Sequence, residues 1–593
     1  MGDEITKKMT VGVVGCGTMG AGISEISAKA GYRVIFSEVD DAQVEQGLER
    51  IEHSLGRAEA KGKITSEQRH DILKRISATT ELKGLAEADV VIEAIPEFLD
   101  LKRDVFAKLD EVLKEDAIIA TNTSSLSVIE LAVATKRPER VLGIHFFNPA
   151  PVMQLVELVT TVTSAPDVVD TARAFVEGMG KKVVLCRDRA GFIANLLLFP
   201  YLNEAVKLLE GGFASREDID AAMRFGAGHP MGPLSLLDLV GLDSCSEILE
   251  SLYKQFSEPR YAPSPAFRHL VAANYMGRKS TKGFYTYGEA DSPATVEDDR
   301  SGRVINLPEP SLDVQRVGII GTGTMGAGLV EVAARSGAQV VCRGRSDASV
   351  AKTKAAIEKS TAKAVDKGKL DENAREQILG RVTWTTDLAS VGDCDVIIES
   401  LAEDLELKKT LFAELDLVAK HGAILGTGTS SLPVIEIASA TTRPESVVGI
   451  HFFNPANLMK LVEIVRTVAT SNQALADVKA MVLKMGKHPV FCEDRAGFIV
   501  NRLLFPYLND SIRMLEQGYA RAEDIDAAMK LGCGHPMGPL ALVDLVGLDV
   551  TLEILRSLHD EFRDQAYAPA PLLEYLVQAG YLGRKSGQGF FAY

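Results

Sequence analysis

One feature constrains this chain before any other: it is written twice. Residues 11–24 read VGVVGCGTMGAGIS and residues 317–330 read VGIIGTGTMGAGLV, an offset of 317 − 11 = 306. The same offset joins His145-Phe146-Phe147-Asn148-Pro149 to His451-Phe452-Phe453-Asn454-Pro455. It also joins Ala190-Gly191-Phe192-Ile193 to Ala496-Gly497-Phe498-Ile499, and His229-Pro230-Met231-Gly232-Pro233 to His535-Pro536-Met537-Gly538-Pro539. A period this long marks a duplicated folding unit, not a solenoid of modules of about 20–50 residues. Each motif can therefore be read in two settings.

Within each copy the apolar pattern changes character once. Val11–Val14 is a short apolar run ending in glycine, Thr18–Ala30 has helical spacing, and Arg33–Ser37 reads as a second strand. Helical segments are expected from Asp40 to Ile76. Asp89–Ala94 and Ala117–Thr121 are further β-rich runs around a helix-like Leu101–Leu113. Strands alternating with helices predict a parallel sheet covered on both faces. After about residue 190, Phe192–Leu209, Arg216–Met223 and Pro233–Leu239 are helical and apolar with no alternation. The expectation is α/β plus all-α: a Rossmann-type doubly wound domain followed by a helical domain, twice. The boundaries are 1–189 and 190–287 for the first copy, and 314–495 and 496–593 for the second. An exposed linker, 288–313, rich in Asp, Glu, Pro and Ser, lies between them.

Gly15-Cys16-Gly17-Thr18-Met19-Gly20 stands between a predicted strand and a predicted helix. In that setting Gly15 permits the tight turn, Gly17 lets the backbone approach a pyrophosphate, and Gly20 lets helix and strand pack closely. Gly321, Gly323 and Gly326 repeat the pattern. At the end of the second strand an acidic residue should bond the adenosine ribose of NAD, and Glu38 stands there in the first copy. Its counterpart is Gly344, flanked by Arg343 and Arg345. A 2′-phosphate would suit guanidinium groups and be repelled by a carboxylate. The first copy is expected to use NAD and the second NADP or NAD.

Each copy also carries Thr-x-Thr-Ser-Ser-Leu, His-Phe-Phe-Asn-Pro, Leu-Val-Glu and Gly-Phe-Ile-x-Asn. Joined to the glycine loop, this set closely resembles the 3-hydroxyacyl-CoA dehydrogenase (3-hydroxybutyryl-CoA dehydrogenase) family, over nearly all of both copies. The resemblance implies interconversion of a (3S)-3-hydroxyacyl-CoA and a 3-oxoacyl-CoA, and the compact domains lead us to expect short-chain substrates such as 3-hydroxybutyryl-CoA. It implies that Ser124, His145, Glu157 and Asn195 are catalytic, with Ser430, His451, Glu463 and Asn501 in the second copy. Oxidising a secondary alcohol needs a base for its proton, histidine suits that task, and a glutamate would fix its tautomer. Cofactor contacts implied by the family are Glu97, Lys102, Asn148 and Lys279, matched by Glu403, Lys408, Asn454 and Lys585. CoA contacts are Ser54, Lys61, Ser360 and Lys367. Helical domains form the dimer interface in the family, so a pseudo-dimer within one chain, or a homo-oligomer, is expected.

The copies depart from each other at Asn122 against Gly428, Leu196 against Arg502, and Met153-Gln154-Leu155 against Met459-Lys460-Leu461. His229 and His535, in Gly-x-Gly-His-Pro turns, are read as structural. Two alternatives stay open: a non-CoA hydroxy acid as substrate, or one copy catalytic and the other a scaffold.

Composition narrows the rest. A net charge of −16 argues against nucleic-acid binding. Seven cysteines without a Cys-x-x-Cys pair read as free thiols in a reducing, cytoplasmic setting, and no spacing suggests a metal. No apolar run is long enough for a membrane span. The first residues lack a signal peptide's apolar region, and Met1–Thr6 matches a loose myristoylation pattern without the supporting basic cluster.

Overall fold

The computed structural model describes residues 9–299 and 305–593, so the myristoylation pattern and the middle of the linker lie outside the described residues. In the first copy eight strands form one sheet: β1 (Thr10–Val14), β2 (Arg33–Ser37), β3 (Ile76–Thr79), β4 (Val90–Glu93), β5 (Ile118–Thr121), β6 (Val141–Phe146), β7 (Leu155–Thr160) and β8 (Lys182–Arg187). Their order is β3-β2-β1-β4-β5-β6-β7-β8. Two short strands, β9 (Thr286–Tyr287) and β10 (Thr295–Val296), close the copy. The second copy repeats the sheet with β11 (Arg316–Ile320), β12 (Gln339–Arg343), β13 (Val382–Thr385), β14 (Val396–Glu399), β15 (Ile424–Thr427), β16 (Val447–Phe452), β17 (Leu461–Arg466) and β18 (His488–Glu493).

The strands are apolar throughout because both faces are covered. Side chains alternate between faces, so Val90 and Ile92 enter one core and Val91 the other. The chain order reverses between β1 and β4, the switch point at which doubly wound sheets open a crevice.

The expected sheet is corrected in one respect. All neighbours run parallel except β6 with β7, which are antiparallel and place His145 directly opposite Glu157. The β16–β17 pair does the same for His451 and Glu463. The stretch expected to be helical from Asp40 to Ile76 divides into Asp41–Ala60 and Ser66–Leu73, each started by a side-chain cap (Asp40, Thr65), and then enters β3.

The helical parts contain Ala194–Glu210, Arg216–Gly226, Pro233–Val240, Leu242–Phe256 and Pro265–Ala272, with counterparts Val500–Glu516, Ala522–Gly532, Pro539–Val546, Leu548–Phe562 and Pro571–Gln578. Helix 194–210 packs against helix 500–516, and one hydrophobic core runs through both copies without a break. On the pseudo-twofold axis the buried rings of His229 and His535 stack, centroids 4.1 Å apart and 13° from parallel. Tyr201 and Tyr507 hydroxyls meet their Nδ1 atoms at 3.2 and 3.1 Å.

The polar contacts around this axis are not symmetric. Arg260 grips Asp510 through both guanidinium nitrogens, whereas Ala566 stands at the position equivalent to Arg260. Arg502 reaches Glu204 at 3.4 Å, whereas the equivalent residue is Leu196. The linker, too, is tied down where it is described: Arg216 pairs with Asp298 at 2.7 Å, and Asp477 accepts from the Ser311 and Leu312 amides.

Two outcomes follow from this interface. Arg260→Ala leaves buried Asp510 with only the more distant Arg513, so it should cost about 3 kcal/mol, read as a lower Tm in calorimetry. Burial pushes the His229 imidazole down to about 4, and burial with the facing His229 pushes His535 well below its usual value. Both are neutral when folded, so the unfolded chain takes up protons first. Their contribution is complete above about pH 6.5 and lost as pH falls toward 4. Scanning calorimetry at pH 7.5 and 5 should show a larger acid loss for the native chain than for a His229→Asn/His535→Asn chain.

Candidate active site

The glycine loop follows β1 at the switch point. Gly15 turns with φ +87°, its amide bonded to Ser37 O at 2.8 Å. A Cβ on Gly20 would stand 1.8 Å from Gly15 O, so only glycine lets the helix pack there. A Cβ on Gly17 would meet nothing within 4 Å, and the same holds for Gly323. These two positions face open space at a helix N-terminus, which fits a dinucleotide phosphate lying against bare backbone. The Glu38 carboxylate accepts from the Cys16 amide of that loop. At the equivalent place in the second copy, a side chain on Gly344 would strike Val350 at 2.6 Å and Thr322 at 2.9 Å. Arg343 there is half-buried and Arg345 exposed.

The second element is the histidine–glutamate pair. His145 Nδ1 lies 2.7 Å from Glu157 Oε2, and Glu157 is 0% exposed. Its other oxygen accepts from the Ile193 and Ala194 amides at 3.0 and 2.9 Å, at the start of helix 194–210. A carboxylate spent on two amide donors acts as acceptor toward the imidazole as well. With Nδ1–H as the donor in that bond, Nε2 keeps a free lone pair. The second copy repeats every bond: His451 Nδ1 to Glu463 Oε2 at 2.7 Å, and Ile499 and Val500 amides to Oε1 at 3.0 and 2.9 Å.

The sequence profile described as "3-hydroxyacyl-CoA dehydrogenase, NAD binding domain" matches residues 10–189 and 316–495, and that of the C-terminal domain matches 191–287 and 497–593. The chain belongs to the 3-hydroxyacyl-CoA dehydrogenase family. It is 46% identical over 289 residues to a 3-hydroxybutyryl-CoA dehydrogenase of Mycobacterium tuberculosis, covering 48% of this chain and 100% of that one. A 3-hydroxyadipyl-CoA dehydrogenase of Escherichia coli is 29% identical over 575 residues, 96% of this chain and 98% of that one. The crystal structure of a 3-hydroxybutyryl-CoA dehydrogenase from E. coli K12 matches 97% of this chain and 99% of that one, with TM-score 0.71 and 28% identity.

In this dehydrogenase the serine loop is positioned by Glu97. Its carboxylate accepts from the Ser124 amide at 3.0 Å and from the Thr123 hydroxyl, and pairs with Lys102 at 2.9 Å. Burial raises the Glu97 carboxyl, but Lys102, Thr123 and Ser124 together take it below its usual value. Lys102, 1% exposed, reaches Glu97 from beneath and also bonds Glu93 at 2.7 Å, whose second oxygen accepts from Thr121. Glu403, Ser430, Thr429, Lys408 and Glu399 repeat this, and the Ser430 hydroxyl also bonds Glu403 at 3.2 Å.

The other predicted residues stand on separate elements. Asn148 and Asn454 are exposed on the β6–β7 and β16–β17 loops, each before a cis-proline. Asn195 is half-buried and Asn501 buried, in the first turns of helices 194–210 and 500–516. Ser360 and Asn454 line one cavity of about 180 Å³ with Glu331 and Asn457. Ser54 is half-buried in helix 41–60, on the side of Glu25. Lys61 and Lys367 are exposed at helix ends. Lys279 and Lys585 sit in the helical parts, bound to Asp243 and Asp549.

Sequence reasoning missed several residues that build the site. Phe147 and Phe192 pack on His145 with centroids 4.7 and 5.5 Å away. Phe192 and Phe498 have φ +49° and +48°, a left-handed strain of about 1–3 kcal/mol repeated just before the amides that bind the glutamate. The repeated Gly-Phe-Ile triplet was the available signal. Asn122 Oδ1 accepts from the Phe146 amide at 2.9 Å, a bond that Gly428 lacks. Among the described residues no cluster suits a metal ion.

With His451→Ala silencing the second site, Glu157→Gln should lower kcat by about 10²–10⁴-fold. KM for the acyl-CoA should change far less, as steady-state kinetics would show.

Proposed function

We propose that both copies are catalytically competent, that the first uses NAD(H) and the second prefers NADP(H), and that the substrate pair is a short-chain 3-hydroxyacyl-CoA and its 3-oxoacyl-CoA, such as 3-hydroxybutyryl-CoA and acetoacetyl-CoA. The observation that carries two-site competence is the identical histidine–glutamate–helix arrangement in both copies, three bonds in each. A scaffold copy would have no use for a buried carboxylate so fully committed, since burying a charge is costly unless it is paired.

When bound, the nicotinamide dinucleotide supplies the hydride acceptor. Gly15, Gly17 and Gly20 would hold its pyrophosphate, with Gly321, Gly323 and Gly326 in the second copy. His145 Nε2 takes the proton from the substrate 3-hydroxyl, and Glu157 stabilises the imidazolium that results. Ser124, held by Glu97, bonds the same oxygen. Asn195 polarises the 3-oxo or thioester oxygen, in the manner of an oxyanion hole. His451, Glu463, Ser430 and Asn501 take these roles in the second copy. Asn148, Lys102 and Lys279, with Asn454, Lys408 and Lys585, shape the cofactor side. Ser54 and Lys61, with Ser360 and Lys367, face the CoA.

The cofactor split is supported by a change of charge around one position, a carboxylate in the first copy and a glycine between two arginines in the second. Glu38 offers acceptors to ribose hydroxyls and repels a 2′-phosphate, whereas Gly344 removes that repulsion and Arg343 and Arg345 add donors. Short-chain substrates are favoured by the 3-hydroxybutyryl-CoA named for the Mycobacterium relative and for the E. coli structure, although the full-length relative is named for 3-hydroxyadipyl-CoA. The contact between the helical parts stands in for a dimer interface. A cytoplasmic setting fits seven free cysteines, six of them buried. Among the described residues no helix is long and apolar enough to cross a membrane.

The test uses the full chain with one histidine removed at a time. With acetoacetyl-CoA, the His451→Ala chain should work with NADH, and the His145→Ala chain should favour NADPH by at least about tenfold in kcat/KM, a difference of about 1.4 kcal/mol. Equal cofactor preference in the two chains would end the split, and full activity with both cofactors in either chain would end the two-site assignment.

A further inference from the structure

The packing of the two copies is crossed. Helix 522–532 of the second copy lies on β7 and β8 of the first, and helix 216–226 of the first lies on β17 and β18 of the second. These are the strands that carry the catalytic glutamates and the residues leading to their amide donors. Each helix ends in a glycine that has no room for a side chain against the opposite copy. A Cβ on Gly532 would lie 2.8 Å from Leu155 and 3.2 Å from the Phe147 ring, and Phe147 is packed on His145. A Cβ on Gly226 would lie 2.7 Å from Leu461 and 3.6 Å from Phe453, which is packed on His451 with centroids 4.6 Å apart.

A second contact acts on the amide side of the first site. Tyr519 of the second copy donates its hydroxyl to Arg187 O at 2.7 Å, and Arg189 covers its ring at 5.0 Å. Arg187 ends β8, and the chain then runs through Phe192 to the Ile193 and Ala194 amides that hold Glu157. Phe213 replaces Tyr519 in the equivalent place, so this phenol bond exists on one side only. Cys533, beside Gly532, is close enough to the dyad for the Glu157 charge to add to burial in raising its thiol to about 12.

We infer that each catalytic dyad is positioned by the opposite copy: Gly532 and Tyr519 of the second copy hold the His145–Glu157 site in register, and Gly226 of the first copy holds His451–Glu463. All three are positioning residues, acting through Phe147, Arg187 and Phe453. Glycine at 226 and 532 lets the helix seat against the aromatic that backs the histidine. A larger side chain must displace that ring, and a displacement of about 1 Å at a reacting group can cost about 10²-fold in rate.

The experiment uses the full-length chain labelled with ¹³C-histidine, the His145 and His451 signals being assigned by their loss in His145→Ala and His451→Ala chains. Gly532→Val should move the His145 signal and leave His451 in place, and Gly226→Val should do the reverse. In kinetics, Gly532→Val should lower kcat/KM at least tenfold in the His451→Ala chain and less than twofold in the His145→Ala chain. Tyr519→Phe should follow the same assignment with a smaller loss. Leu155→Ala, which opens space opposite residue 532, should return the His145 signal and most of the rate to a Gly532→Val chain. If valine at 532 prevents folding, Gly532→Ala paired with Leu155→Ala gives the same comparison. Shifts confined to the copy that carries the substitution, equal shifts in both, none in either, or no rescue would each overturn the inference. The kinetic arm rests on both sites being active as proposed above. An inactive single-histidine chain counts against that proposal, while the histidine signals still decide the coupling.

Discussion

A buried carboxylate holds this dehydrogenase together at its working centre. Glu157 lies at the junction of three elements: β7 carries it, β6 presents His145 to one oxygen, and the start of helix 194–210 presents two amides to the other. A charge removed from water is tolerated only when it is fully paired, and an unpaired one costs several kcal/mol. The glutamate therefore ties the sheet to the helical part as firmly as it orients the imidazole. The same bonds that permit its burial make Nδ1 the donor and leave the Nε2 lone pair free. The left-handed Phe192 is a cost accepted to aim those amides at one oxygen.

Duplication extends this constraint from one site to two. Because one hydrophobic core passes through both helical parts, neither copy has a complete surface of its own. The His229–His535 stack and the Gly226 and Gly532 contacts keep the symmetry of a duplicated unit, whereas Arg260–Asp510, Arg502–Glu204 and Tyr519–Arg187 occur once each. Fusion in one chain makes such one-sided contacts possible, since each copy meets only its neighbour and never a second version of itself. It also lets the cofactor loops diverge, as Glu38 and Gly344 have, while the dyads stay the same.

Much of the architecture was legible in the residues. The 306-residue offset, the glycine turn after an apolar run and the switch from alternating to helical spacing announced two copies of a doubly wound sheet with a helical part. Less legible was the far edge of each sheet. β6 to β8 and their counterparts were not among the expected strands, and the antiparallel β6–β7 pair breaks the βαβ rhythm from which the parallel sheet was read. The helical stretch from Asp40 was also read as running on to Ile76, where two capped helices precede a strand, because helical periodicity alone does not mark a stop. Lys102 is a different case: it follows Glu97 by five residues and Glu93 by nine, and only burial shows it held between both carboxylates.

The amino-acid sequence by itself determined the repeat, the glycine cradle, the residue types of the dyad and the chemical difference between Glu38 and Gly344, because these are local patterns of shape and charge. Tertiary structure decided which groups meet: His145 opposite Glu157 across an antiparallel pair, two helix amides on the remaining oxygen, and a glycine of one copy against the aromatic that backs the other copy's histidine. Those contacts join residues tens to hundreds of positions apart. Their geometry is set by how whole layers pack, which no local spacing encodes.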